Sequence, residues 1–179
     1  MQRRWYHLTT QQMCLLGLMI ALHFVLGFFS IQITPQLRIS LLGFLPIALV
    51  GLRMGPFYGA VAGALGDIVN FLLLTHVYGG YFPGYTLTAA LSGLCYGLFL
   101  HHKKLDWKTA ALCLAPVVFL GEMGLNSLWT YVTASWGYFI ANLPWRIVTN
   151  LIEYPLKIML LVGMGRLLER IPEAYLRRF

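Results

Sequence analysis

RISLLGFLPIALVGLRMGPFYGAVAGALGDIVNFLL, residues 38–73, contains two apolar runs parted by the turn Arg53–Pro56. The second run, near 56 to 75, has the ~20 residues a helix needs to cross the hydrocarbon layer of a bilayer. It nevertheless carries Asp67 and Asn70, three residues apart and so on one helical face. A carboxylate in such a run must face protein or a water-filled space, because at the centre of a bilayer it costs roughly 2.5–3.5 kcal/mol even on the lenient insertion scale. The first run, near 41 to 53, is short for a crossing and holds Pro46, and it reads as a broken or tilted element.

The rest of the chain fits this reading. Of its 179 residues 59% are hydrophobic and 11% charged, outside the range of a soluble fold. Further apolar runs near 8 to 29, 86 to 101, 109 to 132 and 140 to 168 bring the expected total to six. The expectation is an all-α membrane protein, a bundle of six transmembrane helices forming one domain over residues 1–179. Little length remains for a separate soluble domain. The first run follows Arg3 and Arg4 as a secretory signal would, but it is long and lacks a small-residue cleavage site, so it is expected to stay attached. Small residues at fourfold spacing (Gly55, Gly59 and Gly63; Ala89, Gly93 and Gly97; Gly17 and Ala21) allow helices to approach closely.

Charge sets the expected orientation. With the N-terminus inside, Arg3, Arg4, Arg53, Lys103, Lys104, Lys108, Arg166, Arg170, Arg177 and Arg178 fall on the cytoplasmic side and Arg38 alone outside. Short basic loops are retained in the cytoplasm, which places both termini there and explains the +7 net charge without nucleic acid. Cys14, Cys95 and Cys113 are scattered through apolar runs with no metal or redox spacing, so neither metal nor cofactor is expected.

The polar residues inside the spans form patterns. Asn142, Arg146, Asn150, Glu153 and Lys157 share a narrow arc of the last helix. Glu122, Asn126, Trp129 and Thr133 repeat the pattern one helix earlier. Three helices thus point polar groups at one another, and the cavity between them is expected to open outward. The competing reading is a set of ion pairs, Glu153 with Lys157 or Glu122 with Arg146, that only holds the bundle together. Aromatic residues (Tyr81, Phe82, Tyr85, Trp129, Tyr131, Trp136 and Tyr138) crowd the same end, partly as an interfacial belt. The stretch His76 to Thr86 reads as a jointed flap. No nucleophile, metalloprotease or phosphate-loop motif occurs, so binding and movement are favoured over catalysis.

Residues 38–73, followed by GGYFPGYTLTAALSGLCYGLFL at 79–100, resemble the folate-family substrate-binding subunits, or S-components, of energy-coupling-factor vitamin transporters. The likeness is most specific from Arg38 to Leu100, where the arginine, the central proline, the GP turn and the FPG loop occur in order. It implies a six-helix S-component in a prokaryotic plasma membrane that captures a vitamin from outside. It also implies docking onto a transmembrane coupling protein with two cytoplasmic ATPases, and delivery of the vitamin by toppling within the lipid. Gly17 and Ala21 stand where the family has an alanine-x-x-x-alanine docking face.

A folate ligand would ask for three kinds of group. Its two tail carboxylates suit Arg38 or Arg146, because a guanidinium binds carboxylate in bidentate fashion; Arg38 is equally suited to anchor at the interface. The pterin edge suits Asp67, Asn70, Glu122 or Asn150, Phe82, Tyr85 or Trp129 would stack on the rings, and Asn126 is a further substrate-binding candidate. Pro46 would leave helix N–H groups facing the pocket. Three alternatives stay open: an S-component for cobalamin, pantothenate or a deazapurine; an intramembrane enzyme using Glu122 and Glu153; and an ion-coupled carrier using Asp67 and Glu153.

Overall fold

A computed structural model describes residues 9–34, 37–78 and 81–170. The terminal arginines Arg3, Arg4, Arg177 and Arg178 lie outside these residues. Among these residues six helices follow in order: α1 (Thr10–Gly27), α2 (Phe44–Met54), α3 (Pro56–Tyr78), α4 (Pro83–Leu100), α5 (Trp107–Thr133) and α6 (Trp136–Glu169). An antiparallel hairpin, β1 (Ile31–Thr34) with β2 (Leu37–Ile39), joins α1 to α2 and pairs Ile31 with Ile39 and Gln32 with Arg38. The sequence reading has no counterpart to this hairpin.

Local chemistry sets the helix ends. Thr9 and Gln12 form a capping box at the start of α1, and the Ser135 hydroxyl accepts from the Tyr138 N–H at the start of α6. Pro56 and Pro83 occupy first helical positions, where a missing N–H costs nothing. Pro46 lies in the first turn of α2, so it starts that helix and does not break it. Gly55, with φ of 91°, makes the sharp turn between α2 and α3 that other residues resist. Of the stretch His76 to Thr86, read from sequence as a flap, His76–Tyr78 end α3 and Pro83–Thr86 begin α4, while residues 79 and 80 lie outside the described residues.

Among the described residues four helices are long and apolar enough to cross a membrane: α1, α3, α5 and α6. The eleven residues of α2 rise about 16 Å, roughly half of the hydrocarbon layer. Side chains are distributed inside out relative to a soluble protein. On α6, Leu151 and Ile152 are 68% and 57% exposed while the adjacent Glu153 is 6% exposed, so lipid is the solvent and the polar stripe faces inward.

The tightest packing is the seam between α3 and α4. A Cβ on Gly59 would run into the Gly93 carbonyl, one on Gly63 into the Ala89 carbonyl, and one on Gly97 into Pro56. These are the fourfold-spaced small residues, and they bring two backbones into direct contact. Because a backbone cannot change rotamer to yield space, Gly93→Val is expected to destabilise by 1–3 kcal/mol or more, the usual cost of overpacking. Thermal unfolding of the purified protein in detergent checks this; an unchanged midpoint would contradict the seam.

An apolar core formed by Ala48 of α2, Leu100 of α4, Cys113 and Leu114 of α5 and Leu161 of α6, all fully buried, fills one end of the bundle. Beyond it the helices diverge around polar groups.

Candidate ligand-binding site

The divergence encloses a cavity of about 790 Å³ bounded by α1 to α6. Its lining includes Asp67, Asn70, Phe82, Tyr85, Glu122, Asn126, Arg146 and Asn150, all named from sequence. Trp129 is not on the wall. Its ring packs behind Phe82, with centroids 5.6 Å apart, and its Nε1 donates to the Thr88 hydroxyl at 2.9 Å. The Arg38 side chain lies outside the described parts of the structure.

At the deepest point Lys157 is 2% exposed, and its Nζ donates to both oxygens of Glu122 at 2.7 and 2.8 Å. It also meets Glu153 Oε2 at 2.6 Å. The sequence reading of Glu153 with Lys157 is thus half of a triad. Glu122 pairs by its carboxylate with Lys157, and Arg146 Nη1 donates to its backbone carbonyl at 3.4 Å. Two carboxylates share one ammonium here, and the Glu122 side chain keeps 28% exposure against 8% for Glu153. Glu122 is therefore the carboxylate of this cluster more open to the cavity.

Glu122 sits in an unusual stretch. Residues Pro116–Leu125 of α5 are wound as a π-helix, and the Asn126 N–H reaches back five residues to the Gly121 carbonyl. Pro116 has no N–H to offer the Leu112 carbonyl, so the α-helical ladder is interrupted where the wide turns begin. Such wide turns inside α-helices frequently occur at functional sites.

Nearer the mouth, the Arg146 Nη2 donates to the Thr130 hydroxyl at 2.9 Å, and Thr130 in turn donates to the Asn126 carbonyl at 2.8 Å. Asn150 and Thr149 bond back to the Arg146 carbonyl and so stay ordered in the wall. The Thr86 hydroxyl donates to Asp67 Oδ2 at 2.7 Å, linking α4 to α3, and Tyr81 packs on Phe71 with centroids 4.9 Å apart. Three buried polar atoms of lining residues have no hydrogen-bond partner: Asn70 Oδ1, Tyr85 Oη and Asn126 Oδ1. Buried polar atoms are rarely left so.

His23, Ser40, Phe44, Ile47, Ser92, Tyr96 and Thr149 also line the cavity, and the sequence reading does not single them out for it. His23 had a usable signal, a lone imidazole in an apolar helix. The others carry none, since Phe, Ile and Tyr at helical spacing look like any packing face.

Residues 11–164 match the family described as ECF transporter, substrate-specific component. The chain belongs to this family. Among relatives of this substrate-specific component, the folate transporter FolT of Leuconostoc mesenteroides is 31% identical, over 84% of this chain and 82% of its own. FolT of Streptococcus mutans is 30% identical over 93% and 91%, and FolT of Clostridium novyi 29% over 89% and 90%. A crystal structure of FolT bound with folic acid superposes with a TM-score of 0.80 at 33% identity, covering 89% of this chain and 97% of that one. This substrate-specific component is accordingly a membrane protein with a FolT-like fold.

Proposed function

We propose that this chain captures folate from outside a prokaryotic cell and delivers it across the plasma membrane as the S-component of an energy-coupling-factor transporter. The observation that carries the reading is the cavity, about 790 Å³ and within the usual range of small-molecule sites, with aromatic, charged and amide side chains on its wall. The relatives named for folate and the folic acid-bound neighbour support the choice of vitamin. Tyr81, Val132 and Thr133 stand at the end opposite Arg53, Lys103, Lys104 and Lys108. With those basic residues cytoplasmic, both termini lie inside and the mouth faces out.

In this reading, flat rings lie against Phe82 and Tyr85, and Asp67, Asn70, Glu122, Asn126 and Asn150 accept from or donate to polar edges. Arg146 provides positive charge for a carboxylate. The transmembrane coupling protein and two cytoplasmic ATPases supply the energy, and the chain itself catalyses nothing.

Calorimetric titration of the purified chain with folic acid, cobalamin and pantothenate tests the proposal: folic acid alone is expected to bind tightly. Asp67→Ala and Arg146→Ala are each expected to weaken folic acid binding roughly 10- to 100-fold, the loss typical of a charge-assisted hydrogen bond. If neither variant changes the titration, the assigned pocket is wrong.

A further inference from the structure

Trp129 stands behind the cavity wall, and its neighbours fix it there. Its indole N–H, which can only donate, reaches the Thr88 hydroxyl oxygen at 2.9 Å, and that hydroxyl gives its own proton to the Gly84 carbonyl at 3.2 Å. An indole cannot accept through that nitrogen and a carbonyl cannot donate, so the direction of both bonds is settled by chemistry. Thr88 is 4% exposed, which shields the pair from other donors and acceptors. Gly84 supplies the room, since a Cβ there would run into the Phe82 ring and fall 2.6 Å from Cδ2 of Trp129. The two rings meet across this bare backbone with centroids 5.6 Å apart.

Phe82 needs such support. It precedes Pro83 and is held extended, with φ of −132° and ψ of 118°, so it lies outside the hydrogen-bond ladder of α4. Its half-buried ring lines the cavity and meets Tyr85 edge-on, with centroids 6.0 Å apart. A ring on a short connection between helices keeps rotamer freedom that a ligand stacking on it must remove, and that ordering costs affinity. We propose that Trp129, pinned by Thr88, is a positioning residue that holds the Phe82 ring against the cavity and so pre-orders the surface on which a planar ligand ring stacks. The proposal deepens the folate reading and rests on it for the choice of probe, the pterin being such a ring.

Calorimetric titration of the full chain with folic acid is the first test. Phe82→Ala is expected to weaken binding about tenfold or more, the loss of a stacking surface. Trp129→Leu and Thr88→Val are each expected to weaken it about three- to tenfold, the cost of ordering one freed side chain. Because both act through Phe82, adding either to Phe82→Ala is expected to change binding by less than about twofold. Thr88→Ser keeps the hydroxyl and is expected to bind within about twofold of the native chain. Losses that multiply with Phe82→Ala, or a Thr88→Ser chain no better than Thr88→Val, would overturn the proposal. Fluorine NMR of the unliganded chain carrying 4-fluorophenylalanine at position 82 gives a second reading. The ring current of Trp129 acts on that signal, and both Trp129→Leu and Thr88→Val are expected to move it; a signal unmoved by Thr88→Val would overturn the pinning. Failure of the native chain to bind folic acid would instead refute the folate reading, while the fluorine signal still decides whether Trp129 holds Phe82.

Discussion

Replacing Lys157 by methionine is expected to destabilise the bundle by about 3–5 kcal/mol, the usual cost of removing one member of a buried charged cluster. The ammonium is 2% exposed and is held by Glu122 and Glu153 at 2.6–2.8 Å. Its removal leaves two carboxylates facing each other in a low-dielectric interior, where repulsion and lost hydrogen bonds add. The effect belongs to the unmatched charges and not to lost packing, because methionine is close to lysine in length and apolar bulk. Glu122→Gln and Glu153→Gln added to Lys157→Met should therefore restore most of the unfolding midpoint. Thermal unfolding in detergent, followed by tryptophan fluorescence, reads both arms. A single variant that melts like the native chain would show that the triad does not tie α5 to α6.

Gly17→Leu is expected to act in the opposite way, leaving the isolated chain intact and abolishing transport. A Cβ on Gly17 would meet nothing within 4 Å, and Ala21, one turn further along the same exposed face, continues a shallow strip on α1. In the isolated protein leucine there lies in lipid or detergent, so unfolding and folic acid titration should not change. Against a coupling protein, however, a strip of small residues lets two backbones approach, and a leucine would hold them apart. Uptake of labelled folate by cells carrying the coupling protein and both ATPases should then fall to background. If uptake persists with normal expression, the energising module docks on another surface.

Much of this architecture was legible in the residues. Lipid-length apolar runs located the helices, and small residues at fourfold spacing marked the α3–α4 seam at Gly59, Gly63, Ala89 and Gly93. Charged and amide side chains in those runs identified the polar part of the wall, because lipid permits them only where they face inward. What remained hidden depended on contacts between distant segments. His23 joins the site only because Gly43 and Asn70 come to it from α2's entrance and α3. Trp129 has the spacing of its polar neighbours, but the π-helical stretch before it changes the helical phase, and the ring turns toward Thr88 and Phe82. The partner of Glu122 was likewise ambiguous in sequence, since Arg146 and Lys157 both lie on the facing stripe.

The wide winding of α5 has a consequence for how the wall is tensioned. In an α-helix the Asn126 N–H would claim the carbonyl of Glu122; here it takes that of Gly121, and the Glu122 carbonyl meets the Arg146 guanidinium. Tightening those turns by one ladder step would withdraw an acceptor from Arg146 and swing the Glu122 carboxylate relative to Lys157. Helical pitch and the spacing of charge across the cavity are thus a single mechanical coordinate, and a pull on either end of α5 would be felt first by Glu122, Arg146 and Lys157.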